Sequence, residues 1–186
     1  MSAVAVIGGA SAILVVPMLL ATVLAWARHL RGGEAAIDRT TEWTVVGSLL
    51  LLIFPAIAVL AHVYDSTGAW FAGVTTGAIV GFGVGAVGRV LLVFDAIDSE
   101  GALVVGAVGF APVAVWLLSI AMIGIRDHEV PIALGLLSVL VLILAVLGMS
   151  AATIKDRNGA RCFGSVLMIA MVGWLSAVAI ELFRAA

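Results

Sequence analysis

Charged residues are scarce in this chain. They make up 11% of its 186 residues, against about 25% in soluble domains. Hydrophobic residues amount to 64%, and the mean hydropathy is +1.30. A soluble domain of this length could not bury so much apolar surface in a single core. The composition therefore excludes a water-soluble protein and identifies the lipid bilayer as the main partner.

Cysteine and positive charge are also in short supply. The one cysteine, Cys162, excludes an intrachain disulfide, and we expect a free, inert thiol. The formal net charge of −2 argues against nucleic acid as a partner. The first residues lack the basic segment of a signal peptide, and their apolar run exceeds the roughly 7–15 residues of a signal-peptide core. We therefore interpret them as a retained first membrane span.

Six apolar stretches are long enough to cross a bilayer, which takes about 20 helical residues. They cover residues 3–27, 43–64, 70–94, 101–125, 130–152 and 161–184. The connections between them are short, so consecutive helices should be antiparallel neighbours. The sequence predicts an all-α, polytopic membrane protein in which residues 1–186 form a single bundle of six transmembrane helices.

Basic residues are distributed unevenly between the two ends of this predicted bundle. Seven lie at the end that carries the connections after spans one, three and five: Arg28, Arg31, Arg39, Arg89, Lys155, Arg157 and Arg161. Two, Arg126 and Arg184, lie at the other end. Because basic residues accumulate on the cytoplasmic side of a membrane, we expect both termini to be extracytoplasmic. The expected location is the cell membrane.

Glycine recurs at every fourth residue of span three, at Gly73, Gly77, Gly81 and Gly85. This spacing places the glycines on one helix face and predicts a groove in which another helix packs closely. The partner would be span four, the same helix in a second copy of the chain, or another membrane subunit. Alternatively, the glycine face lines a pore or a sliding surface in a moving bundle.

Two ionisable residues lie within the apolar spans. Five apolar residues separate Arg89 from the next connection, which is a depth of roughly 7–8 Å. Arg89 either extends to the lipid headgroups or faces water, where it would bind an anion or gate a pathway. Glu181 lies on the small-residue face of span six, three residues before Arg184. It either forms a structural ion pair with Arg184 or handles a proton or a cation.

Proline occurs near the middle of three spans, at Pro17, Pro55 and Pro112. Each proline removes a backbone hydrogen bond, so each predicts a kink. Pro17 and Pro112 follow glycines in spans one and four, a pattern that an inverted repeat of two three-span halves would produce. The rest of the two halves does not align, and kinking by itself is the simpler explanation of the three prolines.

Residue patterns that would indicate catalysis are missing from the sequence. It contains no H-E-x-x-H motif and no paired carboxylates within the spans. His62 lies near Asp65, and His128 lies between Asp127 and Glu129, but neither group matches a metal motif. We expect no enzymatic activity, metal or cofactor. Two functions lead: a small transport protein, channel or carrier, for an ion or small solute, and a non-catalytic accessory or scaffold subunit of a membrane complex. A membrane sensor is the third alternative, although the short cytoplasmic loops offer little surface for an output partner.

Overall fold

The computed structural model describes residues 3–32, 39–127, 130–154 and 157–186. Helices make up almost all of this part of the chain. They are α1 Ala3–Gly32, α2 Arg39–Leu51, α3 Ile53–Val93, α4 Ser99–Met122, α5 Ile132–Thr153 and α6 Arg157–Ala185. A π-helical turn, Ile123–Asp127, extends α4.

Six helical segments of the described chain are long and apolar enough to cross a membrane. Numbered as spans one to six, they are Ala3–Thr22, Thr41–Val63, Ser66–Val93, Glu100–Asp127, Ile132–Ala151 and Val166–Ala185. Only 33–39% of the most apolar window of each span is buried inside the protein, and many large aliphatic side chains face outward. Such faces are stable in lipid and not in water. The prediction of an all-helical protein with six helices long and apolar enough to span a membrane is therefore confirmed.

The helices extend beyond the apolar stretches at one end of the bundle. Residues 28–32 continue α1, and α2 begins at Arg39, although the sequence predicts a connection over residues 28–42. Likewise, α6 begins at Arg157 within the predicted last connection. Hydropathy detects only the part of a helix that lies in lipid, whereas arginine and glutamate allow a helix to continue into water.

Two irregularities interrupt the long helical stretch of spans two and three. Leu52 separates α2 from α3, three residues before Pro55, which has no N–H to donate to the Leu51 carbonyl. Gly68 has φ +66° and ψ −153°, a conformation essentially restricted to glycine. Span two ends and span three begins around this residue. By contrast, Pro17 and Pro112 lie inside continuous helices.

The six spans form a ring that follows the order of the chain. Each span packs against the next, and span six returns to span one. At this closure, a Cβ on Gly8 would meet Ala58 of span two and approach Leu182 of span six. We call the end of the bundle that holds Gly68 and both chain termini the terminal end, and the opposite end the far end.

Spans three and four approach each other most closely at Gly81. A Cβ at this position would meet the carbonyl oxygen of Gly109, and a Cβ at Gly77 would lie 3.6 Å from the Pro112 side chain. Because the chain runs in opposite directions in the two spans, these contacts set their antiparallel register. The other two glycines of the predicted groove are placed differently. A Cβ at Gly85 would lie 3.4 Å from a span-two leucine, whereas one at Gly73 would have nothing within 4 Å.

Candidate functional site

Arg89 lies at the far end of span three and forms an ion pair with Glu42 of span two. Its Nη1 donates a hydrogen bond to Oε2 of Glu42 over 3.2 Å. The Glu42 side chain is 13% exposed and that of Arg89 is 40% exposed. Arg89 thus has a carboxylate partner at its own depth. The sequence did not indicate this partner, because Glu42 stands 47 positions earlier and belongs to another span.

A second contact joins the same two spans closer to water. Nη2 of Arg39 lies 3.2 Å from Oδ2 of Asp95, and these side chains are 70% and 82% exposed. The ring of Trp43 packs edge-to-face on Phe94, with 6.3 Å between the ring centroids. Together with the Glu42–Arg89 pair, these contacts hold the beginning of span two against the end of span three.

Glu181 lies at the terminal end between two nitrogen-bearing side chains. Its Oε2 is 4.0 Å from Nη1 of Arg184, the partner that the three-residue spacing indicates. Its Oε1 is 3.8 Å from Nε2 of His62 in span two, a contact that becomes an ion pair when His62 is protonated. The two ionisable residues singled out from the sequence, Arg89 and Glu181, therefore both have partners, and they lie at opposite ends of the bundle.

Metal-binding residue types do not converge in the part of the chain that the structure describes. No group of three His, Cys, Asp or Glu side chains there could hold a metal ion. His128 and Glu129 lie outside the described residues, as do the side chains of Asp65 and Cys162.

Three aromatic rings, which we call the central cluster, pack together in the buried core of the bundle. They are Phe82 of span three, Trp116 of span four and Trp174 of span six. The centroids of Phe82 and Trp116 lie 6.2 Å apart, and those of Trp116 and Trp174 lie 5.7 Å apart, both in edge-to-face geometry. All three residues are buried. The cluster therefore ties together spans that are not all neighbours along the chain.

One of the two indoles in the central cluster is fully hydrogen-bonded. Nε1 of Trp174 donates to Oγ of Ser138 in span five over 2.8 Å, and Ser138 in turn donates to the carbonyl of Leu134 over 2.9 Å. Buried polar groups in proteins are normally satisfied in this way.

Two other polar atoms in the interior lack such a partner. Nε1 of Trp116 and Oγ1 of Thr75 make no hydrogen bond to any described residue, although the residues are only 1% and 0% exposed. Hydroxyl side chains in helices commonly donate to the carbonyl four residues back. The adjacent Thr76 does so, with a distance of 2.8 Å to the carbonyl of Ala72. The Thr75 hydroxyl is left facing the protein interior.

Thr75 belongs to the inward face of span three. Phe71, Thr75, Ala78 and Phe82 recur at helical spacing, and all four are buried. Since Phe82 contacts Trp116, this face is directed toward the central cluster. Thr75 thus lies on the same buried helix face as Phe82 of the central cluster.

The Cα atoms of Thr75 and Trp116 lie at nearly the same height along the bundle, whereas their side chains tilt toward opposite ends, each toward the N-terminus of its own helix. Gly77 is opposite Pro112. Thr75 lies two residues and Trp116 four residues from that contact, both toward the terminal end, so their heights differ by about 3 Å. They lie about 7 Å and 4 Å from the midpoints of their spans, well inside a hydrocarbon core about 30 Å thick. We call this pair of unsatisfied groups the Thr75–Trp116 site.

Sequence reasoning missed this site, although one signal for it was present. Tryptophan in membrane proteins is enriched at the lipid–water interfaces, where Trp43 and Trp70 are placed. A tryptophan near the middle of a span, as at Trp116 and Trp174, must find a partner for its N–H inside the bundle. Mid-span tryptophans therefore indicate polar groups nearby.

Comparison with known proteins identifies no relative. No family model matches the chain, and no functionally described protein or solved structure is significantly similar to it. Its function must therefore be inferred from the chemistry of the bundle itself.

Proposed function

We propose that this protein is a small transport protein, a channel or a carrier, that passes a small solute through the centre of its ring of six helices. The Thr75–Trp116 site carries the proposal. A buried polar group without a partner costs about 1–3 kcal/mol in a protein interior. Here two such groups lie on buried faces of neighbouring spans, within the apolar part of the bundle. A solute that hydrogen-bonds to them offsets this cost.

Side-chain contacts at the two ends of the bundle support the same proposal. Glu42–Arg89 joins spans two and three at the far end, and His62–Glu181 joins spans two and six at the terminal end. A coupling of about 1–2 kcal/mol or less allows such contacts to break and re-form during a transport cycle. In a transport cycle they would close the route on either side of the central site.

Solute flux into proteoliposomes tests the proposal. Thr75→Val removes the hydroxyl but keeps the shape of the side chain, and Thr76→Val is the matched control on the adjacent, back-bonded threonine. We expect wild-type protein and Thr76→Val to raise solute permeability above that of empty vesicles, and Thr75→Val to reduce this gain about fivefold, as for one lost hydrogen bond. Thr75→Val should melt at the same temperature as the wild type or higher, because an unsatisfied hydroxyl is removed. Vesicles that are no more permeable than empty ones would contradict the proposal.

A non-catalytic accessory or scaffold subunit, including a homo-oligomer, is the second candidate. It is favoured by two glycines on outward faces, Gly73 and Gly173, where an added Cβ would have nothing within 4 Å. Such positions allow another helix to approach closely. Co-purification of stoichiometric partners from native membranes, combined with absence of flux, would favour this role over transport.

We further propose that both termini lie outside the cytoplasm and that the protein resides in the cell membrane. The support is the distribution of basic residues, seven at the far end and two at the terminal end. At the far end, Arg39 pairs with Asp95 and Arg89 pairs with Glu42. At the terminal end, Arg126 pairs with Asp127 and Arg184 pairs with Glu181. The structure does not describe the side chains of the other five basic residues.

A further inference from the structure

We infer that His62 and Glu181 form a proton-operated contact that closes the junction of spans one, two and six at the terminal end. His62 takes up the proton, and the contact becomes an ion pair when its imidazole is charged. The inference rests on the proposed transport function and names a regulation of it, because a contact that holds spans two and six together at one end controls access to the interior from that end.

The two side chains meet beside the place where three spans pack. Nε2 of His62 lies 3.8 Å from Oε1 of Glu181. Ala58 lies one helical turn before His62, and Leu182 directly follows Glu181. A Cβ on Gly8 would meet the Ala58 side chain and lie 3.2 Å from that of Leu182. The contact between spans two and six therefore lies next to the point at which span one closes the ring.

Both side chains are partly buried, which increases the effect of a proton. The side chain of His62 is 29% exposed and that of Glu181 is 20% exposed. Opposite charges attract each other more strongly in such surroundings than at a fully exposed surface, because less water screens them. Protonation of His62 therefore converts a contact between a neutral ring and a carboxylate into an attraction that pulls span two toward span six.

The charged groups of the neighbouring elements assign the titrating role to His62. Arg184 of span six lies 4.0 Å from the second carboxylate oxygen of Glu181, and an arginine keeps its charge over the whole physiological range. Span one has no ionisable side chain over residues 3–27. Imidazole is the side chain that ordinarily changes charge between about pH 5 and pH 8. In this range the contact is therefore switched by the imidazole.

Other ionisable groups at the terminal end are engaged elsewhere or lie farther along the chain. Arg126 and Asp127 of span four contact each other over 3.9 Å. The C-terminal carboxylate belongs to Ala186, two residues after Arg184. The following groups lie outside the part of the chain that the structure describes: the N-terminal amine and the side chains of Asp65, His128 and Glu129. Among the described side chains, Glu181 is the acidic group that contacts His62.

Protonation of His62 should close the terminal end. The ion pair exists only with a charged imidazole, so its contribution to stability is present at low pH and is lost as the pH rises from about 5 to about 8. Low pH holds spans two and six together, and the route through the terminal end is then closed for more of the time. Transport should therefore slow down on acidification.

Thermal melting in mild detergent tests the contact without reference to transport. The quantity to compare is the melting temperature at about pH 5.5 minus that at about pH 8. We expect this difference to be about 2–4 °C larger in the wild type than in His62→Gln or Glu181→Gln, the size of one partly buried ion pair in a chain of this length. Asp95→Asn, which removes the carboxylate of the exposed pair at the far end, is the matched control and should retain the wild-type difference.

Permeability of proteoliposomes at the same two pH values tests the regulation. With the same buffer on both sides, stopped-flow light scattering reports urea and glycerol, and ion-selective electrodes report K⁺ and Cl⁻. For each probe that the protein passes, we expect the wild-type permeability to be about fivefold lower at about pH 5.5 than at about pH 8. His62→Gln should pass the same probe equally well at both pH values.

The contact, the regulation and the transport function can fail separately. An equal pH dependence of melting in the wild type, His62→Gln and Glu181→Gln would overturn the contact, and Glu181→Gln alone decides this point where His62→Gln does not fold. A protein-dependent permeability that is the same at both pH values would overturn the regulation. Background permeability to all four probes at both pH values would overturn the transport function, whereas the melting comparison would still confirm or exclude the contact.

Discussion

Gly81 occupies the point at which the backbones of spans three and four come closest. A Cβ there would meet the carbonyl oxygen of Gly109 and lie 2.9 Å from the ring of Pro112. We expect Gly81→Ala to lower the free energy of unfolding by about 1–3 kcal/mol, the usual cost of overpacking. Thermal melting in mild detergent measures this loss. Gly73→Ala is the matched control.

The Gly73→Ala control should have almost no effect on stability, because a Cβ at Gly73 would have nothing within 4 Å. The Gly73→Ala variant should stay within about 0.5 kcal/mol of the wild type, as is usual for surface substitutions. Equal melting temperatures for the two variants would contradict the close approach at Gly81. The two glycines are equivalent in the sequence pattern, so the comparison separates a packing glycine from a lipid-facing one.

Thr75 and Thr76 show why the threonine of the Thr75–Trp116 site could not be singled out from the sequence. They are adjacent, identical and embedded in the same apolar run. In a soluble helix, the apolar stripe would distinguish the inward residue from the outward one. In a membrane helix both faces are apolar, because one contacts protein and the other contacts lipid. Only the neighbouring spans reveal that Thr75 faces inward and Thr76 faces outward.

At the level of single helices, hydropathy locates the spans well, but it does not show which residues of different spans contact each other. The six predicted stretches coincide with the six spans because transfer into lipid depends on local composition. Helix ends in water follow helix propensity instead, which is why α1 continues to Gly32. Ion pairs between spans depend on packing, so the Glu42–Arg89 contact could not be deduced from the spacing of either residue.

The Glu42–Arg89 pair should stabilise the packing of span two on span three. We expect a double-mutant cycle of Glu42→Ala and Arg89→Ala to give a coupling energy of about 1–2 kcal/mol, because Glu42 is largely buried and a buried carboxylate without its partner is costly. The free energy of unfolding of the wild type, the two single variants and the double variant provides this value.

The exposed pair Arg39–Asp95 offers the matched control for this cycle. It joins the same two spans, and its donor–acceptor distance is also 3.2 Å, but both side chains face solvent. Its coupling energy should be below about 0.5 kcal/mol, since exposed pairs are screened by water and salt. Coupling of equal size for the two pairs would contradict a role for burial in strengthening Glu42–Arg89.

At the scale of the whole bundle, the order of neighbouring spans can be predicted from the sequence, whereas the contact between span six and span one cannot. The short connections predict that consecutive spans are neighbours, and the ring follows that order. The return of span six to span one joins residues from opposite ends of the chain, such as Gly8 and Leu182. That closure depends on complementary surfaces. The proposed transport function requires this closure, because it brings spans from both ends of the chain around the central cluster.

The orientation of the bundle is the prediction that concerns the molecule as a whole. Seven basic residues at the far end and two at the terminal end predict that the far end faces the cytoplasm, since translocating positive charge across the membrane is disfavoured. We expect alkaline phosphatase fused after the last residue, Ala186, to be active and green fluorescent protein fused there to be dark. In fusions truncated at Ala96, in the connection after span three, the phosphatase should be inactive and the green fluorescent protein should be fluorescent. A fluorescent fusion at Ala186 combined with an active phosphatase at Ala96 would invert the bundle, and the Glu42–Arg89 pair would then lie at the extracytoplasmic end.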